Sequence, residues 1–392
     1  MKKNNSLNPV VVLGAGINGL GIIRSFEKTP IPVIAMSWYK DYGMSSRFCT
    51  YEICPNPLQE ELLIDFLVEY GEKSEQKIIL FATSDLFLMP VIKYKERLTE
   101  KFIIPVCDWS KLSPLIEKEF LYSFADKHDI PSPKTIIVKN IADFDGIADK
   151  MMFPLIIKPS VNITFSQQLG EKAFIISDKK SLEELIKKIA ATDLCKDGIV
   201  VQEYIPGEVT DLYTITSYAN KNSEIIGYSI GHKIRQYPPQ TGTIVSGKIE
   251  HVEEIYTNAD KLIKAGGFYG ISNIEFKRDA RDNSYKLMEI NPRTGVWNSS
   301  ALACGVNLPL MAYRDALGEK VEKEFNKEAK LVWLILPLDF YYALWGYKIK
   351  GYPEASISFR QWLRSLKGKK VEATFKWNDF IPFFKGLLLK FR

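Results

Sequence analysis

Residues 1–114 alternate short apolar runs with amphipathic helical stretches, and no other feature restricts the fold of this chain as much. A strand is read over residues 9–13, closing on Gly14, then a helix over 18–27 and a second strand over 31–36. A helix over 59–70 and strands over 77–82 and 102–106 follow. Strand alternating with helix implies a parallel, doubly wound sheet. Pro114 opens a new segment, with a helix over 115–128 that stops before Pro131 and Pro133. Beyond lie strands over 135–138, 155–158, 173–176 and 199–204, with a helix over 181–191 between the last two. That mixture lacks the alternation of the first part, so an α+β fold is expected there. The chain divides on this reading into a doubly wound domain over 1–114, a second domain over 115–320 and a small C-terminal extension over 321–392.

With 392 residues, 46% of them apolar and 25% charged, the chain is long enough for two or three packed domains and is not expected to be disordered. Its polar start, with Lys2 and Lys3, does not read as a signal peptide. The most apolar stretch, 331–347, carries Pro337 and Asp339 and falls short of the ~20 apolar residues that cross a bilayer. Five scattered cysteines and the histidines His128, His232 and His251 show neither CxxC pairing nor metal spacing. A soluble, cytoplasmic protein with reduced thiols is expected.

Net charge is +5, yet residues 348–392 hold eleven Lys or Arg against Glu354, Glu372 and Asp379, so the rest of the chain is net negative. Trp362, Trp377, Phe380, Phe383 and Phe384 lie among those cations. Two readings stand. The preferred one is a solvated basic face, because charge runs usually keep a surface wet; the other is peripheral contact with an anionic membrane at its cytoplasmic side. No nucleic-acid partner is expected, and a homo-oligomer is left open.

Two short motifs point away from the function. Gly14-Ala15-Gly16-Ile17-Asn18-Gly19 matches GxGxxG, but an acid should end the next strand to bind a ribose. Met36, Ser37 and Trp38 stand there instead, so the glycines are read as close strand–helix packing rather than as part of an NAD-dependent oxidoreductase. Gly227-Tyr228-Ser229-Ile230-Gly231 matches GxSxG, but Pro238, Pro239 and Gly242 follow, and no helix can begin where a nucleophile elbow needs one.

The informative constellation lies further on. Glu275 sits on an apolar strand over 272–276, a polar turn spans 278–284, and a second strand over 285–290 returns to Glu289, Asn291 and Arg293. An antiparallel hairpin brings Glu275 opposite Glu289, and period two puts Asn291 on the same face. Two carboxylates and an amide oxygen are hard ligands suited to Mg²⁺, which also takes phosphate oxygens. Arg293 can lay its fork on a phosphoryl group. Upstream, Lys158 ends an apolar strand, where a charge is costly to bury unless an anion receives it; Lys118 is a second candidate. The segment VVQEYIPGE, from Val200 to Glu208, reads as a strand running into a hinge whose backbone can pair with an adenine edge.

Lys118, FPLIIKPS, VVQEYIPGE, GISNIEF and LMEINPR stand in an order and spacing that resemble the ATP-grasp superfamily. Within it the chain is similar to bacterial carboxylate–amine ligases that include the D-aspartate ligases. The resemblance runs from residue 9 to about 318, taking in VVLGAGINGLGIIRS, SSRF, ATSD and GVNLPLMAYRDALG. It implies a Rossmann-like pre-ATP-grasp domain, then a two-lobed ATP-grasp domain with nucleotide between the lobes. It also implies that Lys118 and Lys158 hold ATP phosphates and that Gln202, Glu203, Tyr204 and Ile205 form the adenine hinge. Glu208 or Asp211 takes the ribose; Glu275, Glu289 and Asn291 bind Mg²⁺, with Mn²⁺ the alternative; and Arg293 serves the reacting phosphate. The phosphate-covering loop, 160–170, holds only Gly170, with Thr164, Ser166 and Lys172 available for contacts.

The implied activity converts a carboxylate to an acyl phosphate and joins it to an amine, releasing ADP. An amino acid and a cell-envelope or other biosynthetic precursor are the substrates it suggests. No protein nucleophile is required, in keeping with the lack of a Ser/His/Asp or Cys/His set. On the acceptor side, the segment His232 to Pro239 offers Lys233 and Arg235 to grip a carboxylate or phosphate, and Arg235 is counted with Lys158 and Arg293 as catalytic. A non-catalytic ATP-binding scaffold of the same fold is the alternative.

Overall fold

The computed structural model describes residues 7–160, 169, 171, 173–239 and 242–390, which build three sheets. The first is parallel and runs in the order β3-β2-β1-β4-β5, from β1 (Val10–Leu13), β2 (Val33–Ser37), β3 (Thr50–Ile53), β4 (Ile78–Ala82) and β5 (Phe102–Ile103). Alternate residues of β1 face opposite layers. Val11 and Leu13 share a core with Leu63 and Leu67 of the helix Glu60–Glu72 and Val91 of Asp85–Lys93. Val10 and Val12 share theirs with Ile22 of Ile17–Ser25 and Met311 of Leu308–Ala316, a helix from far down the chain. This is the doubly wound sheet expected. Its glycine turn is a packing device: Gly14 has φ +88°, and a Cβ on Gly19 would stand 2.1 Å from the Gly14 carbonyl oxygen.

The second sheet is antiparallel and runs β6-β9-β7-β8, from β6 (Thr135–Val138), β7 (Leu155–Pro159), β8 (Phe174–Ile176) and β9 (Ile199–Glu203). Leu155, Ile157, Ile199 and Val201 turn inward onto Leu182, Leu185 and Ile189 of the amphipathic helix Lys179–Ala190. Ile156 and Lys158 consequently point the other way.

The third sheet holds β10 (Leu212–Ala219), β11 (Ile225–Tyr237), β12 (Thr243–Ile249), β13 (Gly270–Arg278), β14 (Tyr285–Asn291), β15 (Glu324–Phe325), β16 (Leu331–Leu334) and β17 (Lys370–Glu372). Its order is β14-β13-β10-β11-β12-β16-β17, with β15 along β11. Ile274, Phe276, Leu287 and Ile290 pack with Ile255, Ala259 and Leu262 of the helix Glu253–Ala265. The polar residues between them on β13 and β14 are thereby left to the opposite face. Ser229 lies within β11 rather than at a strand–helix elbow.

Two expectations change. The helix read over 115–128 is two helices, Trp109–Ile116 and Lys118–Lys127, because Glu117 is extended. Its carbonyl accepts the N–H groups of Phe120 and Leu121, which starts the new helix with Lys118 at its head. The residues after 320 are also no separate appendage. β16 pairs antiparallel with β12 and β17 parallel with β16. Asp379 forms a buried ion pair with Arg24, at 2.9 Å, and accepts from Ser46, so the end of the chain is fixed to the first domain. Removing one partner of such a pair costs about 3–5 kcal/mol. Of the tail aromatics, Trp362 is buried, while Trp377, Phe380 and Phe384 are exposed. No helix among the described residues is long and apolar enough to cross a membrane.

Candidate active site

The β13–β14 register sets Glu275 against Glu289 and Asn273 against Asn291, as the hairpin pattern required. Asn291 donates its amide to Glu289 at 3.0 Å, and its carbonyl oxygen accepts from Arg293 at 3.2 Å. Burial pushes the Glu275 carboxyl above the usual carboxylate range, and the Glu289 charge adds to this, while Lys233 and Arg293 oppose it. Lys233 is itself buried, with Nζ 3.5 Å from Glu275 and 3.1 Å from the Gln236 amide oxygen. Among the described residues no three His, Cys, Asp or Glu side chains cluster for a metal. The oxygen donors here are two carboxylates and an amide.

The second sheet supplies the cations. Lys158, on the outward face of β7, donates to Gln202 on β9 at 2.9 Å, and Gln202 donates to Thr135 on β6 at 2.8 Å. Three adjacent strands thus hold the lysine in place. Burial pulls the Lys158 ammonium down to about 8; the nearby Lys118 acts in the same direction, and Glu289 opposes it. Tyr122 joins the two sheets, with its ring 5.9 Å from Lys158 and its hydroxyl donating to the Met288 carbonyl. The two lysines and the hairpin carboxylates, read from separate stretches of sequence, therefore converge.

Other expected residues are engaged elsewhere. The Gln202 amide is fully buried and committed at both ends, so it supports Lys158 rather than opening into the hinge. Glu203 pairs with Arg281 at 2.6 Å, and the Tyr204 N–H donates to Pro154, while Ile205 is buried. Asp211 is closed by Arg278 and the Glu208 N–H; Glu208 is exposed and has no ion pair among the described residues. Lys172 and most of the loop 160–170 lie outside the described residues.

Arg235 does not join the site. Its guanidinium turns to the fully buried Asp339, with Nε and Nη2 donating at 2.7 and 2.8 Å, and Nη1 to Ser365 at 2.8 Å. Its neighbour but one, Lys233, is the cation of that strand that reaches Glu275. Asp85 is a residue that the sequence reading gave no role. It opens the helix Asp85–Lys93 and holds Arg293 through two bonds of 2.8 Å. Its only signal was its place in the ATSD segment.

A family model described as ATP-grasp in the biosynthetic pathway with Ter operon matches residues 223–335. The D-aspartate ligase of Enterococcus faecium is 26% identical over 326 residues, covering 79% of this chain and 77% of that protein. The L-amino acid ligase of Bacillus licheniformis superposes with a TM-score of 0.60 at 18% identity, over 83% of this chain and 78% of that one. The biotin carboxylase domain of the 2-oxoglutarate carboxylase of Hydrogenobacter thermophilus, solved with MgADP and bicarbonate, gives 0.62 at 16%, over 82% and 73%. With its parallel first sheet and its two antiparallel sheets meeting at Lys158 and Glu289, the chain has the fold of ATP-grasp structures and is similar in sequence to ATP-grasp ligases.

Proposed function

We propose that the chain is an ATP-dependent carboxylate–amine ligase working through an acyl phosphate. The observation that carries this reading is the convergence of Lys158 and Lys118 with Glu275, Glu289, Asn291 and Arg293. A carboxylate is a poor acyl donor because its leaving group would be oxide. Phosphorylated by ATP, it loses phosphate instead when a neutral amine attacks its carbon. Such chemistry asks the protein mainly for positioning and charge neutralisation.

Lys158 is desolvated without a carboxylate of its own, so a nucleotide phosphate gives it the anion it lacks, and Lys118 shares that role. The hinge 203–205 takes the adenine through its backbone, and Glu208 rather than the closed Asp211 takes the ribose. Glu275, Glu289 and Asn291 would hold Mg²⁺ or Mn²⁺, which when bound neutralises phosphate oxygens. The donor set fits: a carboxyl raised by its burial, and further by a second one beside it, is relieved by a cation. Arg293 stands with its fork on the part-exposed Asp85, a partner that an incoming phosphoryl group can replace.

The names of the related ligases support an amino acid as one substrate; a cell-envelope or other biosynthetic precursor is proposed as the second. The test is ADP release from Mg·ATP with a matrix of amino acids and small carboxylates. ADP that appears only when carboxylate and amine are both present supports the ligase. If Mg·ATP raises the unfolding midpoint while no pair releases ADP, the chain is a nucleotide-binding scaffold.

A further inference from the structure

The C-terminal segment carries a surface that the ligase reading leaves unused. Leu336, Trp345, Phe359 and Leu363 are 42%, 51%, 52% and 52% exposed. They are contiguous. Trp345 and Trp362 both meet Phe340 edge-on, with centroids 5.4 and 5.0 Å away, and Phe359 stacks on Trp362 at 5.7 Å. Beside them opens a cavity of about 630 Å³, walled by Leu336, Trp362, Leu363 and Leu366, with Arg364 and Lys367 among its lining. Its base is rigid, since the Trp362 indole N–H donates to the buried Asp339 at 2.8 Å.

The cations are arranged on the same element. In the helix Phe359–Ser365, Phe359 and Leu363 share one stripe and Arg360 and Arg364 the next, because residues four apart face the same way. All seven Lys and Arg between 348 and 370 are exposed, and none forms an ion pair among the described residues. Glu354 is the exposed acid among residues 336–370, since Asp339 is buried.

We propose that this face docks on an anionic lipid bilayer, its apolar side chains entering the headgroup boundary and its cations meeting lipid phosphates. Apolar exposure alone would suit many partners. Unpaired cations beside it select an anionic one, and aromatic, aliphatic and basic side chains interleaved on one short helix match a boundary that is apolar on one side and charged on the other. This inference does not depend on the ligase reading. It also differs from docking through the last helix, Ile381–Lys390, which is seated against the turn Tyr42–Ser45 of the first domain.

The test is sedimentation of the full chain with vesicles of phosphatidylglycerol and phosphatidylcholine in equal parts, against phosphatidylcholine alone. The chain binds the anionic vesicles at low salt, and binding falls as salt rises. The triple variant Arg360→Glu, Arg364→Glu, Lys367→Glu lowers affinity at least about tenfold, and Trp345→Ser with Phe359→Ser and Leu363→Ser also lowers it. Ile381→Ser with Phe384→Ser leaves it near wild type. As a check that does not rest on those variants, brominated lipid quenches part of the tryptophan fluorescence, and Trp345→Phe removes that part. Failure to bind anionic vesicles at low salt overturns the proposal. So does binding lost with the last helix but not with this face, or binding that the charge reversals abolish and the serine variants do not touch.

Discussion

Two arginines of the third sheet region each grip an aspartate with two bonds, and their surroundings differ. Arg235 lies on β11, and its partner Asp339 is completely buried, accepting also from Ser246 and the Trp362 indole. Arg293 follows β14, and its partner Asp85 has a side chain 56% exposed. The first pair is closed: every charge meets a complement away from water, and nothing on it can be exchanged for a ligand without leaving a charge stranded. The second is open, and under the proposed function a phosphoryl group takes the place of Asp85. Presence of an arginine thus says little about function, whereas the completeness of its pairing says a good deal.

The largest effect that sharpens this contrast is expected on the open side. Glu289→Gln lowers turnover by about 10²–10³-fold, the loss typical of removing one charge-stabilising group, while the unfolding midpoint is retained. Steady-state ADP release checks it, and wild-type turnover would remove the metal assignment. On the closed side, Asp339→Ala leaves Arg235 buried and unpaired and lowers stability by about 3–5 kcal/mol in urea unfolding. A variant that keeps its stability but loses turnover would move Arg235 back into the site.

A smaller effect separates the two lysines. Lys158→Ala weakens Mg·ATP binding roughly 10- to 100-fold, as a charge-assisted bond in low dielectric is lost. Lys118→Ala, part-exposed at a helix start, costs less, about fivefold at most. Equal losses would break the distinction. The same burial gives a pH signature. Lys158 stands near 8 when folded and 10.5 when unfolded. Between those values the unfolded chain binds more protons, so stability rises with pH across the window and the gain is lost as pH falls through about 8. Lys158→Met flattens that rise in thermal midpoints.

What the sequence revealed follows the range of the interactions. The β13–β14 hairpin was legible because its register depends on a short turn and a period of two, both local, so Glu275, Glu289 and Asn291 came out on one face. The first sheet was legible for the same reason, from its strand–helix alternation. Arg235 was misread because Asp339 lies 104 positions away, in a stretch whose apolar character hid the role of its one acid. Asp85 was passed over because Arg293 is 208 positions away. Gln202 looked like part of a hinge, since nothing in VVQEY tells which side of β9 its amide faces. The tail was split off because β16 and β17 are four and three residues long, and such strands become visible only when the sheet they extend is known.

The most direct test of the account follows oxygen. With the carboxylate substrate from the ADP-release matrix labelled with ¹⁸O in both oxygens, an acyl phosphate passes one labelled oxygen to phosphate when the amine displaces it. The account predicts one ¹⁸O in each released phosphate and the other in the amide product. Unlabelled phosphate, formed while ADP and amide accumulate, would contradict it.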